Sequence, residues 1–264
     1  MRAFRAIALG LVAGILAWQA TVLLLEPPRY MLPPPLDVAR TLWTHAARLG
    51  RETLVTGVEI ALGLVLGVAA GMATALATVA LPRFGAVLWP QVLILQAMPV
   101  FALAPLLVLW FGFGIASKVV MAALIIFFPV ASAFADGLRR TDPDLLDATA
   151  LTEASHFQAL WHVRVPLAVP ALISGLRVAA PLAPLGAVIG EWVGASGGLG
   201  FLMIQANARM QTDLLFAALA ILAALTLTLR ALVDQLAPRL APWAAEEAPP
   251  PFLQRFATRK TQTR

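Results

Sequence analysis

The chain contains no cysteine, one tyrosine, three histidines and only two lysines, and just 12% of its 264 residues are charged. Each shortage removes a class of function. Without cysteine there is no disulfide, no thiolate metal site and no cysteine nucleophile. His45, His156 and His162 are scattered and form no metal-ligand pattern. Neither lysine, Lys118 or Lys260, follows a Gly-rich loop, so the chain has no Walker A sequence and does not hydrolyse ATP in the usual way. An intramembrane protease would need Ser and His, or paired Asp, at membrane depth; the histidines lie outside the apolar runs and Asp136 stands alone. The low charge excludes a soluble domain, in which charged residues run at about 25%.

What is present in quantity is apolar: 60% of the residues are hydrophobic. A spanning helix needs roughly 20 such residues, and the chain offers about six segments of that kind. They fall near Ala6 to Leu25, Leu54 to Leu81, Ala86 to Phe111, Ser117 to Ala135, Leu167 to Val188 and Leu214 to Leu236. The expected class is therefore an all-α integral membrane protein. The first run, preceded by Arg2 and Arg5, reads as a retained helix, with a signal peptide as the alternative; no small-x-small cleavage site follows it.

The net charge of +5 comes from basic residues at the ends of apolar runs, not on one face, which points to membrane orientation and away from nucleic acid. With a cytoplasmic N-terminus, Arg2, Arg5, Arg83, Arg139, Arg140, Arg164, Arg239, Arg255, Arg259, Lys260 and Arg264 fall on the inner side. Arg29, Arg40, Arg48, Arg51, Lys118 and Arg209 fall on the outer side. Both termini are then cytoplasmic, with Arg29 to Glu52 as a basic exception. In that exception, Leu32 to Pro35 followed by Asp37 predicts an extended lead-in and a short surface helix capped by Asp37.

Residues 54–237 are expected to form the membrane domain, preceded by a helix and surface segment at 1–53 and followed by a disordered cytoplasmic tail at 238–264. Gly63, Gly67 and Gly71 recur every four residues, which strips one helix face of side chains and lets another backbone approach. The third span carries Pro90, Pro99 and Pro105, and the fifth Pro166, Pro170, Pro181 and Pro184, so both are expected to be bent or locally unwound. Bundle packing and a pathway-lining role both account for that. Glu59, Gln91, Gln96, Arg177 and Glu191 are costly in lipid and should face a cavity, a partner or an interface. Gln96, Met98, Arg177 and Glu191 are the pathway candidates; Arg177 is also a candidate partner for Glu59, and Glu191 for an interfacial anchor. Gly194, Gly197, Gly198 and Gly200 predict a turn or re-entrant loop near an outer gate.

Asp142 to Pro166 is the one long polar segment between spans. Asp142, Pro143 and Asp144 combine a side-chain cap, a proline in the first turn and negative charge near the positive end of the helix dipole. Leu145, Leu146, Thr149 and Thr152 give that helix a mixed face. Ser155 with Gln158 three residues later predicts a capping box and a second short helix from His156, presenting Phe157, Leu160, Trp161 and Val163. An amphipathic loop lying in the lipid interface would look similar.

The spacing of Asp147, Ala148, Thr149, Glu153, Val163, Val165 and Pro166 resembles the EAA loop of permease subunits of ATP-binding-cassette importers. MPVFALAPLLVLWFGFG at Met98 to Gly114, FFPV at Phe127 to Val130 and GEWVGASGGLGFLM at Gly190 to Met203 are similar to the nitrate, sulfonate, taurine and thiamine-precursor branch of that family. The resemblance runs from about Leu32 to about Leu236. Three positions depart from it: Asp147 stands for Glu, Thr149 for Ala, and Glu153 where the family usually has Gly. Glu in the left-handed conformation that Gly supplies costs roughly 1 kcal/mol or more.

The resemblance implies a type I importer transmembrane domain that moves a small polar solute into a bacterial cytoplasm by alternating access across the inner membrane. It also implies that Asp147, Ala148, Glu153, Phe157, Leu160, Trp161 and Pro166 belong to a loop docking on a separate ATPase subunit, which holds the ATP and magnesium. This chain itself is expected to hold no cofactor and no metal and to be no enzyme. The other partners implied are a periplasmic or lipid-anchored solute-binding protein, a second permease copy related by a two-fold axis, and membrane lipid. The local phrases lean towards a thiamine-precursor or pyrimidine-like solute, with sulfonate, taurine or nitrate next. The alternatives are an ion-coupled secondary transporter and a membrane scaffold without transport.

Overall fold

The computed structural model describes residues 2–244, with side chains from residue 9 onward. All regular structure among them is helical. Helix α1 (Arg2–Leu25) leads through an extended turn to the short α2 (Pro35–Thr44), after which α3 (Ala46–Ala80) forms the first long span. Next come α4 (Pro82–Ala97), a 3-10 turn (Val100–Leu103) and α5 (Ala104–Phe111). The second long span is α6 (Ile115–Arg139). Two short helices, α7 (Pro143–Ala150) and α8 (His156–Ala159), then lead through a π turn (Leu160–Arg164) into α9 (Val165–Gly194). The chain closes with α10 (Leu199–Ala208) and α11 (Thr212–Leu240).

Helices α3, α6, α9 and α11 are long and apolar enough to cross a membrane, and the bent pair of α4 with the Val100–Phe111 segment makes up to a fifth span. Helix α1 is 24 residues long, and the part of it with described side chains, Leu9–Leu25, is apolar. Residues 245–264, which carry Arg255, Arg259, Lys260, Arg264 and most of the expected tail, lie outside the described residues, as do the side chains of Arg2 and Arg5. Helix α11 continues to Leu240, past the expected start of that tail.

At the centre stands α6, flanked by α3 and α9. The glycine stripe of α3 is the reason for the first contact. A Cβ on Gly63 would lie 2.5 Å from the Ala122 Cβ, and one on Gly67 would lie 2.7 Å from the Ala123 carbonyl oxygen. Gly71 likewise faces Val130 and the Phe127 carbonyl. On the other side, Gly175 and Gly186 of α9 meet Pro129 and Ala122 of α6. Backbones this close exchange dispersion contacts along their whole length, which in lipid replaces the missing hydrophobic drive between helices. Ile126, Val130, Phe134 and Leu138 of α6 are accordingly fully buried.

Three expectations change, and the expected bend of the third segment is found. Helix α3 begins at Ala46, eight residues before the expected start of the second apolar segment at Leu54. The cap of α2 is Pro34, not Asp37; Asp37 lies in the first turn, where its carboxylate meets Arg29 and Arg40. The third segment does break: α4 and the helical segment after it differ in direction by 91° at Met98–Pro99. The fifth does not, because α9 carries Pro170, Pro181 and Pro184 without interruption, packed against α6 and α11.

Candidate functional site

Residues 140–164 form a compact projection at one end of the bundle. Asp142 caps α7 through its Oδ1, which accepts from the Asp144 N–H at 2.9 Å, and Pro143 fills the first turn, where no N–H is needed. The second helix starts with a complete capping box: the Ser155 N–H donates to Gln158 Oε1 at 2.8 Å, and the Gln158 N–H donates to Ser155 Oγ at 3.3 Å. Between them Glu153 takes φ +57°, the left-handed conformation that a glycine would adopt without strain. Two anchors fix the projection to the bundle. His156 Nε2 lies 3.3 Å from the Val79 carbonyl oxygen at the end of α3, and Leu160 is buried in the core formed by α3, α6 and α9.

The expected contact residues therefore divide. Leu160, 1% exposed, holds the projection to its own chain and has no surface to offer a partner. Phe157 and Trp161, each more than half exposed, and Leu151 point outward with Asp147, Ala148 and Glu153. Pro166 is half-buried in the first turn of α9.

The four pathway candidates are not brought together. Gln96 and Met98 are exposed at the α4 break, next to the exposed Phe101 in the 3-10 turn that follows. Arg177 does not pair with Glu59. Its Nε donates to Asp234 Oδ1 on α11 at 2.8 Å, and Arg230 Nε donates to the other carboxylate oxygen at 2.9 Å. The separation explains why: Arg177 lies 14 residues, or about 21 Å of helix rise, before Glu191, which is where Glu59 packs. The Arg177–Asp234 pair borders a recess of about 720 Å³ between α6, α9 and α11, lined also by Asp136, Arg140 and Ser174.

Glu191 is not an interfacial anchor. It is 1% exposed, at the end of α9 away from the 140–164 projection. One carboxylate oxygen accepts from the Thr56 hydroxyl at 2.6 Å, and the other accepts from the Gly200 and Phe201 N–H groups. Thr56 Oγ1 in turn accepts from the Leu199 N–H at 2.8 Å, and Glu52 Oε2 from the Gly198 N–H at 2.6 Å. Lys118, 2% exposed, donates to the carbonyl oxygens of Phe113, Gly114 and Gly194. The glycine-rich turn 195–198 is thus clamped by side chains from α3, α6 and α9. Gly198 has φ +106°, and a Cβ there would strike the Glu191 carboxylate, so this position requires glycine twice over.

The glycines and Glu191 were legible in the sequence, but Glu52, Thr56 and Lys118 were missed as their partners. One signal was available. Glu52, Thr56 and Glu59 recur at spacings of four and three, which places them on one face of an otherwise apolar helix. Among the described residues no group of His, Asp and Glu has the arrangement of a metal site.

Comparison with known proteins gives a consistent outcome. Over 228 residues the chain is 51% identical to a probable ABC transporter permease protein of Haemophilus influenzae, covering 86% of this chain and 93% of that one. It is 42% identical to the riboflavin transport system permease protein RibX of Chloroflexus aurantiacus, covering 86% of each. Among solved structures, an inward-facing conformation of the MetNI methionine ABC transporter superposes with a TM-score of 0.60 at 19% identity, over 76% of this chain and 98% of that chain. The fold is therefore that of a type I importer transmembrane domain. Residues 67–242 match the family described as binding-protein-dependent transport system inner membrane component. With apolar helices that can cross the membrane several times, the glycine-packed bundle and the exposed two-helix projection, this chain belongs to that family and is a multi-pass ABC transporter permease.

Proposed function

We propose that the chain is the membrane subunit of an ATP-driven importer that carries a planar, nitrogen-containing heteroaromatic solute of the pyrimidine or flavin kind into a bacterial cytoplasm. The observation that carries the coupling is the exposed projection. Its two capped helices, locked to the core by Leu160, present Phe157, Trp161 and Ala148 as a rigid unit. A separate ATPase gripping that unit would move α6 and α9 as rigid bodies, since both ends of the projection run directly into them. The ATPase would bind the ATP and magnesium, a second copy of this chain would complete the pathway around a two-fold axis, and an outer solute-binding protein would deliver the solute.

Two features support the solute class. Similarity to a riboflavin permease at 42% identity favours a ring system that itself contains a pyrimidine. The exposed side chains at the α4 break, Gln96, Met98 and Phe101, suit stacking on and hydrogen bonding to a neutral ring.

The test uses the chain reconstituted with the ATPase and the solute-binding protein from its own gene neighbourhood. Trp161→Glu with Phe157→Glu should leave membrane insertion intact and abolish solute-stimulated ATP hydrolysis; unchanged stimulation would refute the coupling role. A calorimetric screen of the binding protein should find a pyrimidine or flavin ligand, and selective binding of taurine or nitrate would refute the solute class.

A further inference from the structure

The clamp on the 195–198 turn contains one acidic group too many. Lys118 has three N–H donors, and all three go to backbone carbonyls. Its positive charge remains, and it packs on Gly190, beside Glu191. Glu191 receives three donors and offers none, the arrangement of an ionised carboxylate. Lys118 and Glu191 therefore balance. Glu59, one helical turn beyond Thr56 on the same face of α3, is also buried, at 3% exposure. Its side chain lies within hydrogen-bonding reach of Glu191, and its Oε2 has no partner.

A second ionised carboxylate here would face a like charge with one oxygen undonated in a dry site, which is among the most costly arrangements a protein interior can hold. The unpartnered oxygen is far less costly as the carbonyl of a neutral acid. We propose that Glu59 and Glu191 form a one-proton carboxyl pair, in which protonated Glu59 donates its O–H to ionised Glu191. The pair is a proton-binding site built into the clamp on the glycine-rich turn. The facing charged groups from the surrounding elements are Lys118 on α6, Glu191 on α9 and Glu52 on α3; α10 contributes none. Opening the turn would bring Glu59 to water and release the proton. The site is independent of which solute is transported.

Infrared spectroscopy of the full chain in lipid nanodiscs at neutral pH tests it. The wild type should show a protonated-carboxyl carbonyl stretch that shifts on exchange into deuterium oxide and disappears in Glu59→Gln. Because the amide of Glu59→Gln can donate to Glu191 as the acid does, that variant should keep the wild-type unfolding midpoint, whereas Glu59→Ala should lose several degrees. If Glu59→Gln does not fold, Glu59→Asp should retain the band at a displaced frequency. Absence of the band in the wild type would overturn the proposal. So would a Glu59→Gln variant as unstable as Glu59→Ala, or an unfolding midpoint that rises with sodium in a chain lacking the band, the mark of a cation in place of the proton.

Discussion

The two ends of the bundle hold polar groups in opposite ways. At the 140–164 end, the helix caps are exposed and made by neighbours two to three residues away, Asp142 with Asp144 and Ser155 with Gln158. At the 195–198 end, they are buried and satisfied by partners far along the chain, with Thr56 and Glu191 separated by 135 residues. The first design makes a rigid object that can be gripped from outside. The second makes a turn that the bundle itself holds shut through several shared partners. Local bonds give shape at small cost; long-range buried ones give all-or-none closure, because a half-satisfied polar network in a dry site is worse than none.

Substitutions at each end measure that contrast. The largest effect is expected for Lys118→Met, which frees three carbonyls and leaves Glu191 buried without its counter-charge, at a cost of about 3–5 kcal/mol. Thermal unfolding in detergent should show it as a large drop or as loss of folded chain. Next comes Leu160→Ala, about 3 kcal/mol by cavity formation, with unfolding again as the measure. Trp161→Ala, one residue away but exposed, should barely change the unfolding midpoint; a loss as large as that of Leu160→Ala would erase the division between anchor and contact residues.

Smaller effects are expected within the projection. Ser155→Ala removes the hydroxyl half of the capping box and should cost about 1 kcal/mol, expressed as faster hydrogen exchange confined to α8. Glu153→Gly relieves the left-handed strain and should stabilise by about 1 kcal/mol or less. If Glu153→Gly also weakens association with the ATPase, the glutamate side chain is itself a contact, and the exposed end depends on more than its apolar surface.

Legibility in the sequence followed the same divide. The caps at Asp142 and Ser155, the start of α8 at His156, the glycine stripe of α3 and the break near Pro99 were all readable, because each depends on residues within one or two turns. The continuity of α9 was not. Proline predicts a break wherever the freed backbone groups lack support, and only the packing around α9 supplies it. The pairing of Arg177 was missed for a related reason. Charge complementarity suggested Glu59, but helix length places the two about 21 Å apart and brings Asp234 of α11 alongside instead.

By itself the sequence determined an all-helical membrane chain with one capped two-helix projection and a glycine-bearing helix built for close contact. Helix caps, span lengths and small-residue stripes are local properties, and local properties can be read in order along a chain. Only the tertiary structure decided that Leu160 is an anchor while Trp161 is free, and that Glu191, Thr56, Glu52 and Lys118 close one turn together. Those outcomes depend on which helix faces meet, and that is set by the sum of many weak packing contacts among α3, α6 and α9 rather than by any single residue pattern.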